Sequence, residues 1–421
     1  MFFCTRTKIE MRLARDGEKM MLKLLSKTRS WIAMSFLITT PTFATDPCAQ
    51  TNCPPSCPKV CPDPFPEPTT PAYNAPDGIN TRCSWDVFAS GSFIYWQPIL
   101  ENMDLGFIFS AEHEYGPIFN MKFRYKPGFK VALGMLFDRD NWSGWAEYTR
   151  FHGHYTHAAS VGLDAGLQLM QLHPELISFT GPVFDLHRKW GLNMDLLDLL
   201  MGRDYYVGTK LSFNTYFGAR AAWIRQTLSD FFSDPTALIL TGTIGGIIVT
   251  SDAGGGGGGG GGPTPLRDEG TVSQNTRSWG VGPRIGTDLK WDLGYDFRLV
   301  GNAAGDLLYT RYTRLKTNST VITVQADEDE NIETITTTLR TLQKNLAFLR
   351  AHVELEMGLG WGTYFGANQW HFDLEATYGF QVYFNQNMFR LYFNGSAPGV
   401  SFVPCGDLFI HGLNLTARFD F

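Results

Sequence analysis

The chain has 421 residues, of which 18% are charged and 14% are aromatic, and it contains 44 glycines. The charged fraction lies below the usual value of about 25%, and the mean hydropathy of −0.14 argues against a bundle of membrane helices. The formal net charge of −6 makes a nucleic acid an unexpected partner. A chain of this length forms one large domain or about two to three ordinary ones.

Residues 1–44 are predicted to be an N-terminal extension followed by a signal peptide. A basic stretch around Lys23 precedes an apolar core, and the small residues that end at Ala44 match the pattern that a signal peptidase reads. The apolar core is too short to serve as a membrane anchor. The residues before it are charged and unpatterned, so translation is expected to start at Met20 or Met21. Cleavage near Ala44 leaves 27 Lys and Arg against 38 Asp and Glu, so the exported chain is acidic.

Residues 45–83 form a segment rich in cysteine and proline. Its prolines disfavour both helix and strand ladders, so an extended arm is expected. Export leaves six cysteines, which are predicted to form disulfides within the arm, with other envelope proteins or with a second copy. A metal site and a flexible tether with locally paired thiols are the alternatives. The disulfide candidates are Cys48, Cys53, Cys57, Cys61, Cys83 and Cys405.

The remaining residues, 84–421, alternate between apolar and polar side chains over stretches of about nine to fourteen residues. The clearest stretch is HFDLEATYGFQVYF at 371–384, and the same alternation occurs at 84–96, 127–137, 209–224, 279–291 and 349–361. A soluble β-sandwich also has one dry and one wet face, so alternation alone leaves both folds open. Strands that cross a bilayer need about nine to eleven residues, whereas soluble strands centre on about five or six, so the lengths favour a membrane barrel.

These lengths, the tryptophans near the segment ends and the lack of a second long apolar run in the sequence predict an all-β fold. The expected architecture is a transmembrane antiparallel β-barrel of about 12 to 16 strands in a Gram-negative outer membrane. One face would contact outer-membrane lipid, and the other would line a lumen for ions and small hydrophilic solutes. No cofactor is expected. The predicted lumen residues are Arg350, His352, Glu354, Glu356, His371, Asp373 and Glu375.

Four motifs carry a family resemblance: GSFIYWQ (91–97), LMGRDYYVGTKLSFNTYFGARAAWIRQ (200–226), SWGVGPRIGTDLKW (278–291) and GNAAGDLLYTRY (301–312). Together with the closing Phe421, they resemble the major outer membrane protein family of Legionella and chlamydia-like bacteria. The resemblance implies a β-barrel porin and abundant surface protein, with disulfide cross-linking in some members. It also implies that the outer-membrane assembly machinery reads the last strand, with Phe419 and Phe421 as the signal. That strand is expected to pair with residues 85–96.

Three other segments allow competing interpretations. Residues 158–176 have a helix-compatible spacing and are predicted to be a short helix in an external loop or a plug folded inward. Nine consecutive glycines at 254–262 are predicted to be a loop without a fixed fold. His152, His154 and His157 form either a Zn or Cu site or, as the simpler interpretation, a polar strand end.

Three classes of function follow from these predictions. The first is a porin that allows passive diffusion and is also an abundant structural surface protein. The second is a disulfide-linked structural or adhesive envelope protein whose barrel is plugged by its own charges. The third and minor alternative is an outer-membrane enzyme, and the sequence contains neither GxSxG nor HExxH. The prediction is therefore a protein without catalytic activity.

Overall fold

The computed structural model describes residues 70, 72–79, 81, 85–109, 118–137, 141–160, 166–169, 185–234, 243–244, 247–248, 264–326, 332–392 and 401–421. All of them belong to the second of two contact units, Pro62–Phe421. The predicted signal peptide, the glycine run and the five other cysteine candidates lie outside these residues. Cys405, the candidate that lies within them, is disulfide-bonded.

The described residues are mostly in strands and include no helix. Accordingly, no helix that is long and apolar enough to cross a membrane occurs in this part of the chain. The strands are β1 (Ala72–Pro76), β2 (Val87–Leu100), β3 (Asp104–Phe109), β4 (Ile118–Asn120), β5 (Lys126–Phe137), β6 (Trp142–Ser160), β7 (Gly166–Leu169), β8 (Asp185–Gly208), β9 (Leu211–Asp234), β10 (Thr243–Ile244), β11 (Ile247–Ile248), β12 (Thr264–Gly294), β13 (Phe297–Ala326), β14 (Ile332–Gln343), β15 (Leu346–Phe365), β16 (Trp370–Asn387), β17 (Leu391–Tyr392), β18 (Ser401–Phe402) and β19 (Gly406–Asp420).

Ten of the described strands close into an antiparallel ring in the order β2, β5, β6, β8, β9, β12, β13, β15, β16 and β19. The pairing of β8 with β9 and that of β19 with β2 complete the ring. β1 adds to β8, and β14 adds to the outer part of β13. The barrel fold is therefore confirmed, and part of the predicted N-terminal arm is itself a strand.

The whole sheet has twelve strands, the lower limit of the predicted 12 to 16, and the ring itself has ten. The prediction allowed about 25 residues for a strand with its connection. β12 and β13 alone contain 31 and 30 residues, because both extend well beyond the length that a bilayer requires. A ring of ten strands is narrower than the predicted one, and small barrels are filled largely by side chains.

The last strand pairs with β2, as predicted, from Leu408 opposite Leu100 to Asp420 opposite Phe88. The backbone of Phe421 continues the ladder, because Val87 and Phe421 exchange N–H···O bonds of 3.0 and 2.9 Å.

The two ends of the barrel differ in their connections. At one end, the short-turn end, β8 and β9 are joined by two residues and β12 and β13 by Tyr295 and Asp296, both in the left-handed backbone region. At the other, the long-loop end, the connections include residues 101–125, 161–184 and 235–263. Outer-membrane barrels carry short turns on the periplasmic side and long loops outside, which sets the expected orientation.

The outward face carries an apolar band between two rows of tryptophan. On β12 the outward side chains Val281 and Ile285 are 45% and 63% exposed, and Trp279 and Trp291 lie beyond them on either side. At about 3.3 Å per residue and a tilt of about 45°, the distance from Trp279 to Trp291 corresponds to roughly 28 Å across the membrane. This matches the apolar band of about 25 Å in outer-membrane barrels.

The inward face pairs glycines with large aromatic rings. A Cβ atom at Gly270 would lie 2.1 Å from the Phe232 ring, and one at Gly286 would lie 2.4 Å from the Tyr216 ring. Each glycine therefore leaves the space that an inward ring occupies.

The helix predicted at 158–176 is wrong for the residues that the structure describes there. Ala158 to Ser160 end β6 and pair with β8, and Gly166–Leu169 form the short strand β7 beside β3. The apolar spacing in this short stretch fits periods of both 3.6 and 2, and pairing with neighbouring strands selects the extended form.

Candidate functional site: the barrel interior

The interior consists of two halves with opposite chemistry. The long-loop half, here called the apolar half, contains one cluster of buried side chains that includes Trp96, Phe151, Trp190 and Phe232. The short-turn half, here called the charged half, surrounds a cavity of about 240 Å³. Strand alternation places one set of residues inward on every strand, and on β8, β13 and β15 the charged inward residues Asp198, Asp306 and Glu354 lie near the middle, where the two halves meet.

Ion pairs lie where the two halves meet. They involve Asp198 on β8, Arg220 on β9, Arg284 on β12, Asp306 on β13, and His352 and Glu354 on β15; these six residues are called the central network. All are buried, none being more than 8% exposed.

Arg220 connects three of the strands in the central network. Its guanidinium donates twice to Asp198, over 2.7 and 2.6 Å, and a third time to Asp306 over 3.1 Å. Asp306 also lies 2.7 Å from His352 Nδ1, whose ring stacks on Tyr383 at a centroid distance of 4.0 Å. Paired carboxylates and guanidinium groups satisfy one another here, as buried charges require.

Arg284 and Lys130 carry the pairing across the barrel. Arg284 donates to Asp306 over 3.2 Å and to Glu354 over 2.7 Å. Lys130 on β5 lies 3.7 Å from Glu354 and 3.4 Å from Glu356. Since β2, β19 and β16 lie between β5 and β15 in the ring, this contact crosses the lumen. The described side chains therefore bridge the lumen at this level.

The cavity of the charged half is acidic. Eight carboxylates and four cationic side chains line it, together with hydroxyl and amide groups. Ile79, which follows β1, also lines it, so the segment after β1 reaches into the short-turn end. The lining carboxylates are Glu147, Asp198, Asp204, Asp288, Glu354, Glu356, Asp373 and Glu375, and the cations are Lys130, Arg284, Lys290 and Arg418.

The structure places most of the predicted lumen residues at this cavity. Glu354, Glu356, Asp373 and Glu375 line it, and Arg298 contacts both Asp373 and, over 3.1 Å, Glu375.

The other three lie on either side of the cavity. His352 belongs to the central network, and His371 lies 3.4 Å from Asp420 near the short-turn end. Arg350 lies in the apolar half, 4.6 Å from the centre of the Phe348 ring.

The last strand contributes to the same interior. Asn414 and Arg418 point inward: Asn414 accepts a 2.7 Å bond from Trp96 Nε1, and Arg418 lies over the Phe88 ring. Leu413 and Leu415 are outward, at 37% and 40% exposure. Phe419 and Phe421 pack around Trp370 at the short-turn end. Whether these two rings act as an assembly signal stays a prediction.

Two inward-folded segments close the apolar half. Met121 and Phe123, between β4 and β5, lie inside, and the Phe123 and Trp190 rings meet edge to face with their centroids 5.3 Å apart. Phe389, after β16, is 3% exposed in the same cluster.

Arg188 holds the start of the same connection between β2 and β5. It donates to the Met103 and Asp104 carbonyls over 3.1 and 3.0 Å while bound to Asp230. Sequence analysis missed these segments, although Phe119, Met121 and Phe123 alternate as strand residues do.

The histidines of the predicted metal alternative do not converge. His157 lies inward, 6.4 Å from the Phe119 ring, whereas His152 lies 3.6 Å from Asp195 on the outward face. Among the described residues, no group of three or more His, Cys, Asp or Glu side chains is arranged to hold a metal ion.

A closed antiparallel ring, an apolar outer band bounded by tryptophans and a partly charged interior together define an outer-membrane β-barrel. A sequence model described as "Legionella pneumophila major outer membrane protein precursor" matches residues 79–417. The chain belongs to this family, and it is located in the outer membrane of a Gram-negative bacterium. A comparison with curated protein sequences finds no match.

Several solved structures are similar at low identity. The outer membrane protease OmpT of Escherichia coli is 12% identical, with 80% of this chain and 96% of that chain covered and a TM-score of 0.33. The toluene transporter TodX of Pseudomonas putida is 10% identical, with 79% and 89% covered and a TM-score of 0.27. A major outer membrane protein of Thermus thermophilus is 13% identical, with 79% and 99% covered and a TM-score of 0.21.

Proposed function

We propose that the protein is a porin through which ions and small hydrophilic solutes diffuse passively along the barrel interior. The observation that carries the proposal is the cavity of about 240 Å³ lined mainly by ionisable and hydrogen-bonding side chains. A wet, charged lumen is typical of barrels that conduct, whereas a barrel with a purely structural role has no need to keep such a cavity. On this proposal the protein is a passive channel and not an enzyme.

The lining favours cations. Its carboxylates outnumber its cationic side chains by eight to four, so the cavity attracts small cations and repels anions. The central network and the packed apolar half both obstruct this route. Ions pass only when pairs such as Arg220 with Asp198 separate and the inward-folded segments of the apolar half move aside, so we expect a small single-channel conductance.

Planar-bilayer recording tests this function. The test variant carries Asp198→Asn, Arg220→Gln, Arg284→Gln and Glu354→Gln, which keeps the net charge and removes most pairs of the central network. We expect a small cation-preferring current from the wild type and a several-fold larger one from the variant. The matched control carries Arg298→Gln, Asp373→Asn, Arg418→Gln and Asp420→Asn, which also keeps the net charge but removes interior pairs outside that network; because the central network stays intact, its current should not increase.

The second candidate is a structural or adhesive envelope protein with a plugged barrel, cross-linked through disulfides. It is favoured by the packed apolar half and by the disulfide at Cys405. Folded wild type and folded test variant that both fail to conduct at high protein load would exclude the porin and support this role. Folding is checked by the mobility of unheated samples in detergent gels.

A further inference from the structure

The outward surface carries an unusual row of cations immediately beyond the aromatic belt. In the ladders of β9, β12 and β13, Arg225 lies directly opposite Arg277, and Arg277 lies directly opposite Arg314. All three are exposed. We call these three residues the arginine row.

The level of the arginine row relative to the membrane follows from the same register. Two residues nearer the short-turn end, Trp223 lies opposite Trp279, and beyond these begins the apolar band with Val281. Tryptophan belts lie at the boundary between hydrocarbon and head groups. The arginine row is therefore at head-group level, on the side of the long loops.

Three like charges in one row repel one another, and a bound anion would relieve that repulsion. Residues directly opposite on neighbouring strands have Cβ atoms about 5 Å apart, and like charges at such positions destabilise a sheet. Two more cations lie close by: Arg311 is opposite Trp279, and Lys316 is two residues beyond Arg314 on β13. Glu269, the outward acid of β12, is eight residues beyond Arg277 along the strand. Asp195 on β8 lies opposite Trp223, diagonal to Arg225, and accepts a 2.8 Å hydrogen bond from Tyr148, so one carboxylate stands beside three arginines.

We propose that the arginine row binds the phosphate groups of lipopolysaccharide in the outer leaflet. Planar guanidinium groups suit phosphate because each can donate two parallel hydrogen bonds to its oxygens. The acyl chains of the same lipid would lie on Trp223, Trp279 and Val281 below. The inference is independent of conduction, because the row is on the outer surface of the barrel.

The experiment compares the wild type with the variant Arg225→Gln/Arg277→Gln/Arg314→Gln in detergent, by titration with fluorescent lipopolysaccharide. Glutamine keeps the length and polarity of the side chains and removes only charge. Since each cation near a lipid surface contributes about a factor of five to binding, we expect the variant to bind on the order of 100-fold more weakly. Phosphatase-treated lipopolysaccharide should bind wild type as weakly as it binds the variant.

The matched control is Lys122→Gln/Arg124→Gln/Lys210→Gln, which removes three exposed cations away from the row. It should bind lipopolysaccharide like the wild type. Equal losses in control and test variant, or equal binding of treated and untreated lipopolysaccharide, would overturn the proposal.

Phosphatidylglycerol vesicles that compete as strongly as lipopolysaccharide would show that the row takes any anionic lipid, and would overturn the specific assignment. If the triple variant fails to fold, the single variant Arg277→Gln serves instead. It should bind about fivefold more weakly, because one of three charges is lost. Unchanged binding by that variant would count against the row.

Discussion

The two halves of the barrel interior are built from the same ten strands, but their lumens are filled in different ways. The apolar half is packed by aromatic and aliphatic side chains and by two inward-folded segments, and Leu186, Leu192 and Met194 are fully buried there. The charged half keeps a cavity, because ionised groups must retain either partners or water and cannot pack as closely as hydrocarbon. The comparison indicates that stability resides mainly in the apolar half and permeation chemistry in the charged half.

The largest loss of stability is expected from breaking a charge pair that lies within the apolar half. Arg188 and Asp230 are 2% and 0% exposed, and their closest contact is 2.5 Å. Asp230→Ala removes the carboxylate that accepts from Nε and Nη2 of Arg188 and leaves a buried guanidinium without its counter-charge, so unfolding free energy should fall by about 3 to 5 kcal/mol. Urea unfolding of protein refolded into vesicles, followed by tryptophan fluorescence, measures the change.

The control for this prediction is Glu375→Gln in the charged half, where the Glu375 side chain is 28% exposed and Arg298 keeps Asp373. It should lower stability by about 1 kcal/mol or less, because a partly solvated pair contributes little. Equal losses for Asp230→Ala and Glu375→Gln would contradict the proposed division of roles.

A smaller loss of stability is expected when either of two glycines that face aromatic rings is replaced by alanine. Gly270→Ala places a methyl group against Phe232, which is fully buried in the apolar half and has no space to move into. Gly286→Ala does the same against Tyr216, which lines the cavity. Overpacking costs about 1 to 3 kcal/mol, so we expect Gly270→Ala near the upper value and Gly286→Ala near the lower. The same unfolding assay ranks the two variants, and the reverse order would mean that the cavity wall is the more rigid.

Much of this architecture could be predicted from sequence because strand alternation decides which face each residue occupies. The alternation in β15 and β16 correctly separated Leu355 and Phe380, which are exposed, from Glu354 and Asp373, which are buried. The contacts across the lumen could not be predicted in this way. Lys130 meets Glu356 although they are 226 positions apart, and periodicity contains no information about which inward residues face each other.

Two further features of the structure could not be predicted from local sequence patterns. The number of strands in the ring depends on how far each hairpin extends past the membrane, and the sequence shows no boundary between the membrane part of β13 and its extension beyond Arg314. The inward folding of Met121 and Phe123 depends on a hydrogen bond such as that from Gln97 to the Phe123 carbonyl, 2.9 Å long, which forms only in the assembled barrel.

The smallest effect on stability is expected from Glu356→Gln, which also gives the sharpest test of the charged half. Glu356 accepts a 3.2 Å hydrogen bond from Thr377 and pairs with Lys130, which keeps Glu354 as a second partner. Glutamine can still accept from Thr377 and Lys130 keeps a carboxylate, so unfolding free energy should change by about 1 kcal/mol. Cation preference, measured as a reversal potential in a salt gradient across a planar bilayer, should decrease, because the variant removes one of eight lining carboxylates next to the central network. Arg225→Gln, on the outward face of β9, serves as the control and should leave the reversal potential unchanged. A large loss of stability with unchanged selectivity would mean that Glu356 serves only to hold Lys130, and that the charged half is a structural device like the apolar half above it.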